Sequence, residues 1–233
     1  MTASVTIDVD GVAGLACRPG GPWGLTSRSE HEYVWAGLQR VLDVLARHGA
    51  VATFYVPGAT VLERPGVFRE IAAAGHEIAH HGHAHLPSLT LDAAGERDEL
   101  LRGLDAFAQI GVAPHGYRSP GWELTPTTLG LLPELGFAWD SSLMGDERPY
   151  RLGELVELPV HWRLDDVPYW LAHRDPREVL AIWTAEFDVA DGHITYTIHP
   201  EHTGRGHRLS LLDGLLDHIG PTIKHSDACA ALI

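Results

Sequence analysis

Between residues 76 and 85 the chain places five of its sixteen histidines, His76, His80, His81, His83 and His85, in the run GHEIAHHGHAHLP. Imidazole is a common ligand for transition metals. Several pairings are open. His76/His80 and His81/His85 are four apart, which sets two rings on one face of a helical turn; His81/His83 and His83/His85 are two apart, which does the same on a strand. Near the start, Asp8-Val9-Asp10 projects two carboxylates to the same side of an extended segment. Burying both without a cation costs on the order of several kcal/mol, or forces one to take up a proton. One carboxylate with two imidazoles makes three protein ligands and leaves a fourth position open, the pattern of a catalytic zinc site. The second carboxylate is then free to accept a proton from water, which is the chemistry of metal-assisted hydrolysis.

These groups need a scaffold that brings them together. SVTIDVD (4–10) is β-branched and alternating and reads as a buried strand ending in the two carboxylates. Further strands are expected at VATFYVP (51–57), EIAHH (77–81), HGYRSP (115–120), FAWDSS (137–142), LVELPVHW (155–162) and HITYTIHP (193–200), with an eighth at PTIKHS (221–226). Helical patterns fall between them. Ser29 with Glu32 reads as a capping box ahead of the apolar face Val34, Leu38, Val41, Leu42 and Leu45, which stops at Gly49. Helices are also expected over 59–74, 92–109 and 207–218, after Thr125-Pro126, and after Asp175-Pro176. Strands alternating with helices point to a parallel sheet, either a barrel or an open doubly wound sheet, in a single domain spanning residues 1–233. In such folds ligands bind at the carboxyl ends of the strands. Asp8 and Asp10 end the first strand, His81 and His85 follow the third, Arg118 ends the fourth, Asp140 the fifth and His199 the seventh, so all converge on one mouth.

Composition narrows the partners. The 31 acidic against 17 basic residues give a formal charge of −14, and the single lysine is Lys224, which argues against nucleic acid and anionic membrane surfaces. Cys17 and Cys229 are too few for a disulfide framework and suit a reducing compartment. MTASVTIDVDG enters a strand pattern with no charged or apolar leader, and no stretch reaches about 18 uninterrupted apolar residues. The expectation is a cytoplasmic enzyme with a small-molecule substrate. A Gly-rich phosphate loop and a nucleophile-elbow serine are both missing from the sequence.

TIDVDG, HHGHAH, YRSPGW, WDSS and TIHPE, in that order, resemble the successive motifs of the polysaccharide deacetylase (NodB homology) family, the family 4 carbohydrate esterases. The resemblance runs over roughly residues 4 to 202. It is strongest toward the branch holding peptidoglycan-deacetylase-like proteins, allantoinase-like proteins and cyclic imide hydrolases, to which SRSEHEY, ATFYVPG and LPVHWRLDD add. It implies a distorted parallel (β/α) barrel of about seven strands. It also implies Zn²⁺, or another divalent transition metal, on Asp10, His81 and His85, with Asp8 as general base, Arg118 pairing with that base and His199 protonating the leaving amine. Trp122, Gly121 and Asp140 are the substrate-binding candidates: Trp122 as a pocket wall, Gly121 for backbone N–H groups at the oxyanion, and Asp140 as a candidate orienter of His199. Where the family motif often carries Leu two residues before the last histidine, this chain carries Thr197.

The expected reaction is hydrolysis of a non-peptide carbon–nitrogen bond, as an N-deacetylase of an acylated amine or amino sugar. Cyclic amide opening needs the same groups and stands as the alternative. A catalytically silent metal- or ligand-binding module is the alternative of another class. By the same resemblance the chain is expected to form a homo-oligomer.

Overall fold

The first strand shows how this sequence builds its scaffold. Ala3, Val5 and Ile7 alternate with Ser4, Thr6 and Asp8, and both sets are buried. A strand covered on both faces belongs to a parallel sheet with helices outside. The computed structural model, which describes residues 1–17 and 24–232, has that architecture.

Among the described residues one sheet holds β1 (Thr2–Asp8), β2 (Thr53–Val56), β3 (Glu77–His80), β4 (Gly116–Tyr117), β5 (Trp139–Asp140), β6 (Tyr150–Leu152), β7 (Leu155–Glu157) and β8 (His193–Ile198). The spatial order is β6-β7-β5-β4-β3-β2-β1-β8. Every pairing is parallel except β6 with β7. The seven parallel strands are those the sequence predicts. The distorted barrel that the resemblance implies is a half-barrel here, with a single parallel bridge, Asp165 to Thr197, reaching toward its open seam. One feature differs from expectation. The eighth strand is β6, a three-residue arm of a hairpin, while residues 221–224 have no strand pairing and lead into a helix.

Among the described residues eleven helices cover the sheet: α1 (Leu25–Glu32), α2 (Val34–His48), α3 (Gly58–Glu63), α4 (Pro65–Ala73), α5 (Ala93–Ala108), α6 (Pro126–Glu134), α7 (Asp166–Leu171), α8 (Pro176–Val189), α9 (Pro200–Thr203), α10 (Leu209–Ile219) and α11 (His225–Ala230). The larger apolar core lies between the outer face of β1, β2 and β8 and helices α2, α8 and α10, with Val5, Ile7, Val41, Leu45, Tyr196, Trp183, Leu211 and Leu215 all fully buried. Burying one such aliphatic side chain stabilises by about 1.5–3 kcal/mol.

Local chemistry explains the helix ends. Thr125 Oγ1 accepts from the Thr128 N–H in a reciprocal capping box, and Asp175 accepts from the Arg177 N–H. Gly49 closes α2 in the left-handed conformation at φ 59°. Ser29 and Glu32 do not cap: they lie inside α1, where the Ser29 hydroxyl donates to the Thr26 carbonyl and Glu32 pairs with Arg28 four residues back. At Gly37 of α2 a Cβ would stand 1.9 Å from the Pro200 carbonyl oxygen, so only glycine lets this helix meet α9.

The inner face of the half-barrel is polar. Thr6 Oγ1 donates to the Tyr196 carbonyl and meets Thr197 Oγ1 at 3.0 Å. Tyr55 meets His225 Nδ1 at 2.7 Å, and the His225 N–H donates to Thr53 Oγ1, so α11 plugs the end of the half-barrel opposite the strand C-termini.

Candidate active site

Asp8 closes β1 and is almost fully buried. Its Oδ1 accepts from the Arg118 guanidinium at 2.6 Å. Arg118, fully buried, also donates to the Ser141 carbonyl and hydroxyl at 2.9 Å each and to Thr6 Oγ1 at 2.9 Å, and its guanidinium lies 4.1 Å from the Tyr55 ring centroid. This is a buried, over-determined ion pair, in which loss of one partner costs about 3–5 kcal/mol. It leaves Asp8 Oδ2 without a hydrogen-bond partner, 3.8 Å from His81 Nε2.

Asp10 follows two residues on, tethered by Thr60 Oγ1 donating to its backbone carbonyl. Its Oδ1 lies 3.5 Å from His81 Nε2, its Oδ2 3.2 Å from His85 Nε2 and 3.9 Å from His199 Nε2. His81 Nδ1 sits 2.7 Å from the Arg118 carbonyl, so that nitrogen carries the proton and Nε2 presents a lone pair to the carboxylate. Lone pairs facing one another repel unless a cation or proton lies between them. Asp10 Oδ1 has no hydrogen-bond partner, and the ligand atoms of Asp10, His81 and His85 all fall within 4.8 Å of one another. That donor set fits a divalent transition ion with a position left open.

Electrostatics mark the same point. Burial would raise the Asp10 carboxyl, but the imidazoles of His85, His81 and His199 hold it well below the usual carboxylate range. Burial opposes charge on His85, yet Asp10 pushes it up to about 10. Burial takes His81 down to about 4. The two ligand-spaced rings meet with centroids 4.8 Å apart across a loop rather than along a helical turn: Gly82 has φ 71° and His85 φ 57°. A non-glycine residue held there stores backbone strain.

The His80 and His76 side chains of the run are architectural. His80 Nδ1 accepts from the Gly82 N–H, Nε2 donates to the Leu100 carbonyl, and burial lowers its pKa to about 3. His76 accepts from the Ala52 N–H. His83 is held from its backbone, its N–H donating to Glu99.

His199 stands at the end of β8, directly before α9. Its Nδ1 is 2.8 Å from Asp166 Oδ1, and its backbone N–H donates to Asp166 Oδ2 at 3.1 Å. Asp166 Oδ2 also accepts from Trp170 Nε1 and the Thr203 hydroxyl. Burial opposes charge on His199, but Asp166 raises it well above its usual value. Asp165, Asp166 and His199 also group within 4.8 Å, yet Asp166 and His199 are already joined by hydrogen bonds and Asp165 Oδ1 accepts from the Val167 N–H, which makes Asp166 a clamp on the ring. Burial and the neighbouring Asp166 charge push Asp165 up to about 7, against the pull of His199.

Asp140 departs from expectation. It is buried at the end of β5, paired in register with Glu157, and accepts from the Ser142 N–H and hydroxyl. It does not reach His199; Asp166 occupies that position. The WDSS segment contributes through Ser141, which holds Arg118, and Ser142, whose hydroxyl accepts from the Ser119 N–H.

The cleft above these groups has a volume of about 220 Å³. Gly121 and Trp122 line it, both with left-handed backbone, φ 69° and 60°. Trp122 stacks on Trp162 at 4.4 Å between centroids and 19° between planes. His31, Glu201 and His202 form the wall beside Asp10. Burial, with the Asp10 charge, pushes Glu201 up to about 8. Sequence reasoning assigned no role to Asp165, Asp166, Glu201, His31 or Trp162. The Asp-Asp of LPVHWRLDD was the available signal, but an Asp before an apolar segment also reads as a helix cap, and Asp165 does cap α7, accepting from the Val167 N–H.

The polysaccharide deacetylase family model matches residues 34–139, a span that contains His81, His85 and Arg118. A peptidoglycan deacetylase of Helicobacter pylori is 28% identical over 91% of this chain and 88% of its own length. The structure of a protein from Mycobacterium smegmatis assigned to the polysaccharide deacetylases superposes with a TM-score of 0.89, at 34% identity, over 99% of this chain and 89% of that one. PuuE allantoinase shares the fold at a TM-score of 0.88 and 20% identity, over 98% of this chain and 89% of its own.

Proposed function

The chain belongs to the polysaccharide deacetylase family, and from that premise we propose that it is a metal-dependent hydrolase that removes an acyl group from an acylated amine or amino sugar. We take residues 1–233 as one catalytic domain. One observation carries the reading: a carboxylate held by a buried guanidinium turns its free oxygen toward His81 Nε2, in a triad of ligand atoms where Asp10 Oδ1 has no hydrogen-bond partner.

A divalent transition metal such as Zn²⁺, held by Asp10, His81 and His85, would supply a Lewis acid that polarises the amide carbonyl and acidifies the attacking water. Asp8 accepts the proton of that water at Oδ2. Arg118 fixes the orientation of Asp8 through the charge-assisted hydrogen bond to Oδ1. The water oxygen bonds to the carbonyl carbon to give a tetrahedral adduct, and as that adduct collapses the carbon–nitrogen bond breaks while His199 donates a proton from Nε2 to the departing amine. Asp166 at Nδ1 holds the ring in the orientation and charge state for that donation. Base and acid are thus separate residues. Trp122, backed by Trp162, and Gly121 wall the substrate.

Cyclic amide opening is the second reading, favoured by the confined cleft of about 220 Å³, which takes one ring more readily than a polymer. Free thiols at Cys17 and Cys229 support a reducing, cytoplasmic setting. Among the described residues no helix is long and apolar enough to cross a membrane. A homo-oligomer is proposed from the family resemblance, and light scattering in solution tests it.

The deciding experiment is a parallel assay of zinc-loaded protein on N-acetylglucosamine, short N-acetylated oligomers, allantoin and simple imides. Turnover of the N-acetyl substrates, lost with chelator and restored by metal, is expected. Turnover confined to allantoin or imides selects the second reading, and saturable binding without any turnover selects the silent module.

A further inference from the structure

A second cavity of about 220 Å³ lies away from the cleft, between the start of β8 (His193, Ile194, Thr195), the segment after β7 (Pro159, Val160, His161) and α8. This is the seam that the half-barrel leaves open. His193 and the cleft residue His199 are separated by six steps along β8, roughly 20 Å at strand spacing. We propose that this seam cavity is a binding site for a protonated organic amine.

Charge gives the sign of the ligand. Asp146, Glu147 and Glu186 line the cavity, with His161 and His193, and neither Lys nor Arg is among the lining residues. Anionic ligands are repelled. The second observation is His193, which lines the cavity, is 7% exposed, and has Nε2 without a hydrogen-bond partner. Its Nδ1 is 2.9 Å from the Thr2 hydroxyl, which in turn lies within reach of the Gly192 carbonyl. If the hydroxyl donates to that carbonyl, it accepts from Nδ1–H, and Nε2 is left as an acceptor. Burial lowers His193 to about 4, so the ring is neutral at pH 7. An unpartnered Nε2 in a cavity whose acidic lining residues are Asp146, Glu147 and Glu186 calls for a donor cation.

A metal ion does not answer to this description. Among the described residues, the groups whose ligand atoms lie close enough to share an ion are Asp10/His81/His85 and Asp165/Asp166/His199, neither at the seam. The remaining wall is apolar, with Val160, Leu164, Val189 and Ile194, which suits the carbon body of an amine. The inference stands apart from the reading of the cleft and does not need it.

Calorimetric titration with cyclohexylammonium chloride tests the site, with cyclohexanol and cyclohexanecarboxylate as isosteric controls. Saturable binding of one ammonium per chain is expected, with neither control competing. Glu186→Gln, on a half-buried helix position, should weaken it about tenfold or more while leaving amide hydrolysis unchanged. His193→Phe should weaken it similarly, and Asp8→Asn in the cleft should leave it intact. Absence of saturable binding, equal binding of the carboxylate, or an affinity untouched by Glu186→Gln would overturn the proposal; Glu186→Gln remains decisive even if His193→Phe fails to fold.

Discussion

Two pairs of carboxylates are buried at the carboxyl ends of strands in this molecule, and their surroundings give them opposite characters. Asp140 and Glu157 face each other across β5 and β7. Neutral donors meet both Asp140 oxygens, from the Ser142 N–H and hydroxyl, and Glu157 Oε1, from the Ser142 and Leu143 N–H groups; Glu157 Oε2 accepts from no donor. With no cation in contact, burial pushes Asp140 up to about 6, and burial with the Asp140 charge pushes Glu157 up to about 10, so the pair keeps a proton. Asp8 and Asp10 sit instead among a guanidinium and three imidazoles. There, Asp8 Oδ2 and Asp10 Oδ1 both face His81 Nε2 without a hydrogen-bond partner. Two buried carboxylates are therefore no signature by themselves. Neutral donors turn a pair into a latch, whereas cationic and ligating neighbours turn it into a site.

The largest effect that distinguishes the pairs is expected from Asp8→Asn. It should lower kcat by about 10³ or more while metal content, measured by elemental analysis, stays at that of the wild type. His81→Ala should instead lose the metal, and equal metal content in the two variants would break the division of labour between Asp8 and Asp10.

Asp166→Asn comes next. Turnover should fall on the order of 10²-fold with KM nearly unchanged, since the ring of His199 loses its orienting charge. Activity needs His199 protonated, and Asp166 raises its pKa, so the wild-type alkaline limb lies above the ordinary histidine range. Removing the carboxylate lowers that pKa and moves the limb to lower pH in a kcat profile. An unmoved limb would show that another group sets it.

The smallest effect on activity should come from Glu157→Gln, less than about twofold in kcat, because a neutral amide reproduces the protonated carboxyl. Its signature is in stability. Glu157 has a folded pKa of about 10 against an ordinary 4.5, so its contribution is fully present below about 4.5 and is lost as pH rises toward 10. Thermal melts of the wild type should show Tm falling across that window, and the variant should flatten the fall. A collapse of activity in Glu157→Gln would move the second pair into the site.

Much of this arrangement is legible in the sequence because strand ends are local facts. The alternation of SVTIDVD places Asp8 and Asp10 at the end of β1, and the β-rich HITYTIHP does the same for His199. What escapes is register between distant segments. Asp140 and Asp166 are both aspartates ahead of small or apolar residues, and the bridge between Asp165 and Thr197 brings Asp166 beside His199. The hairpin strand β6 is three residues long and half exposed, too short for a periodic signal. Ser29 and Glu32 satisfy a capping pattern, yet α1 begins at Leu25 and runs through them. The four-residue spacing of His81 and His85 does reflect a shared direction, but left-handed backbone in a loop produces it, and periodicity does not report that.

The packing of Gly37 against the Pro200 carbonyl has a mechanical corollary. With no side chain to compress between α2 and the chain just past His199, the long helix acts as a hard stop behind that residue. Any adjustment of that imidazole as a substrate arrives must therefore come from the other flank, through the lone bridge that carries Asp165 and Asp166.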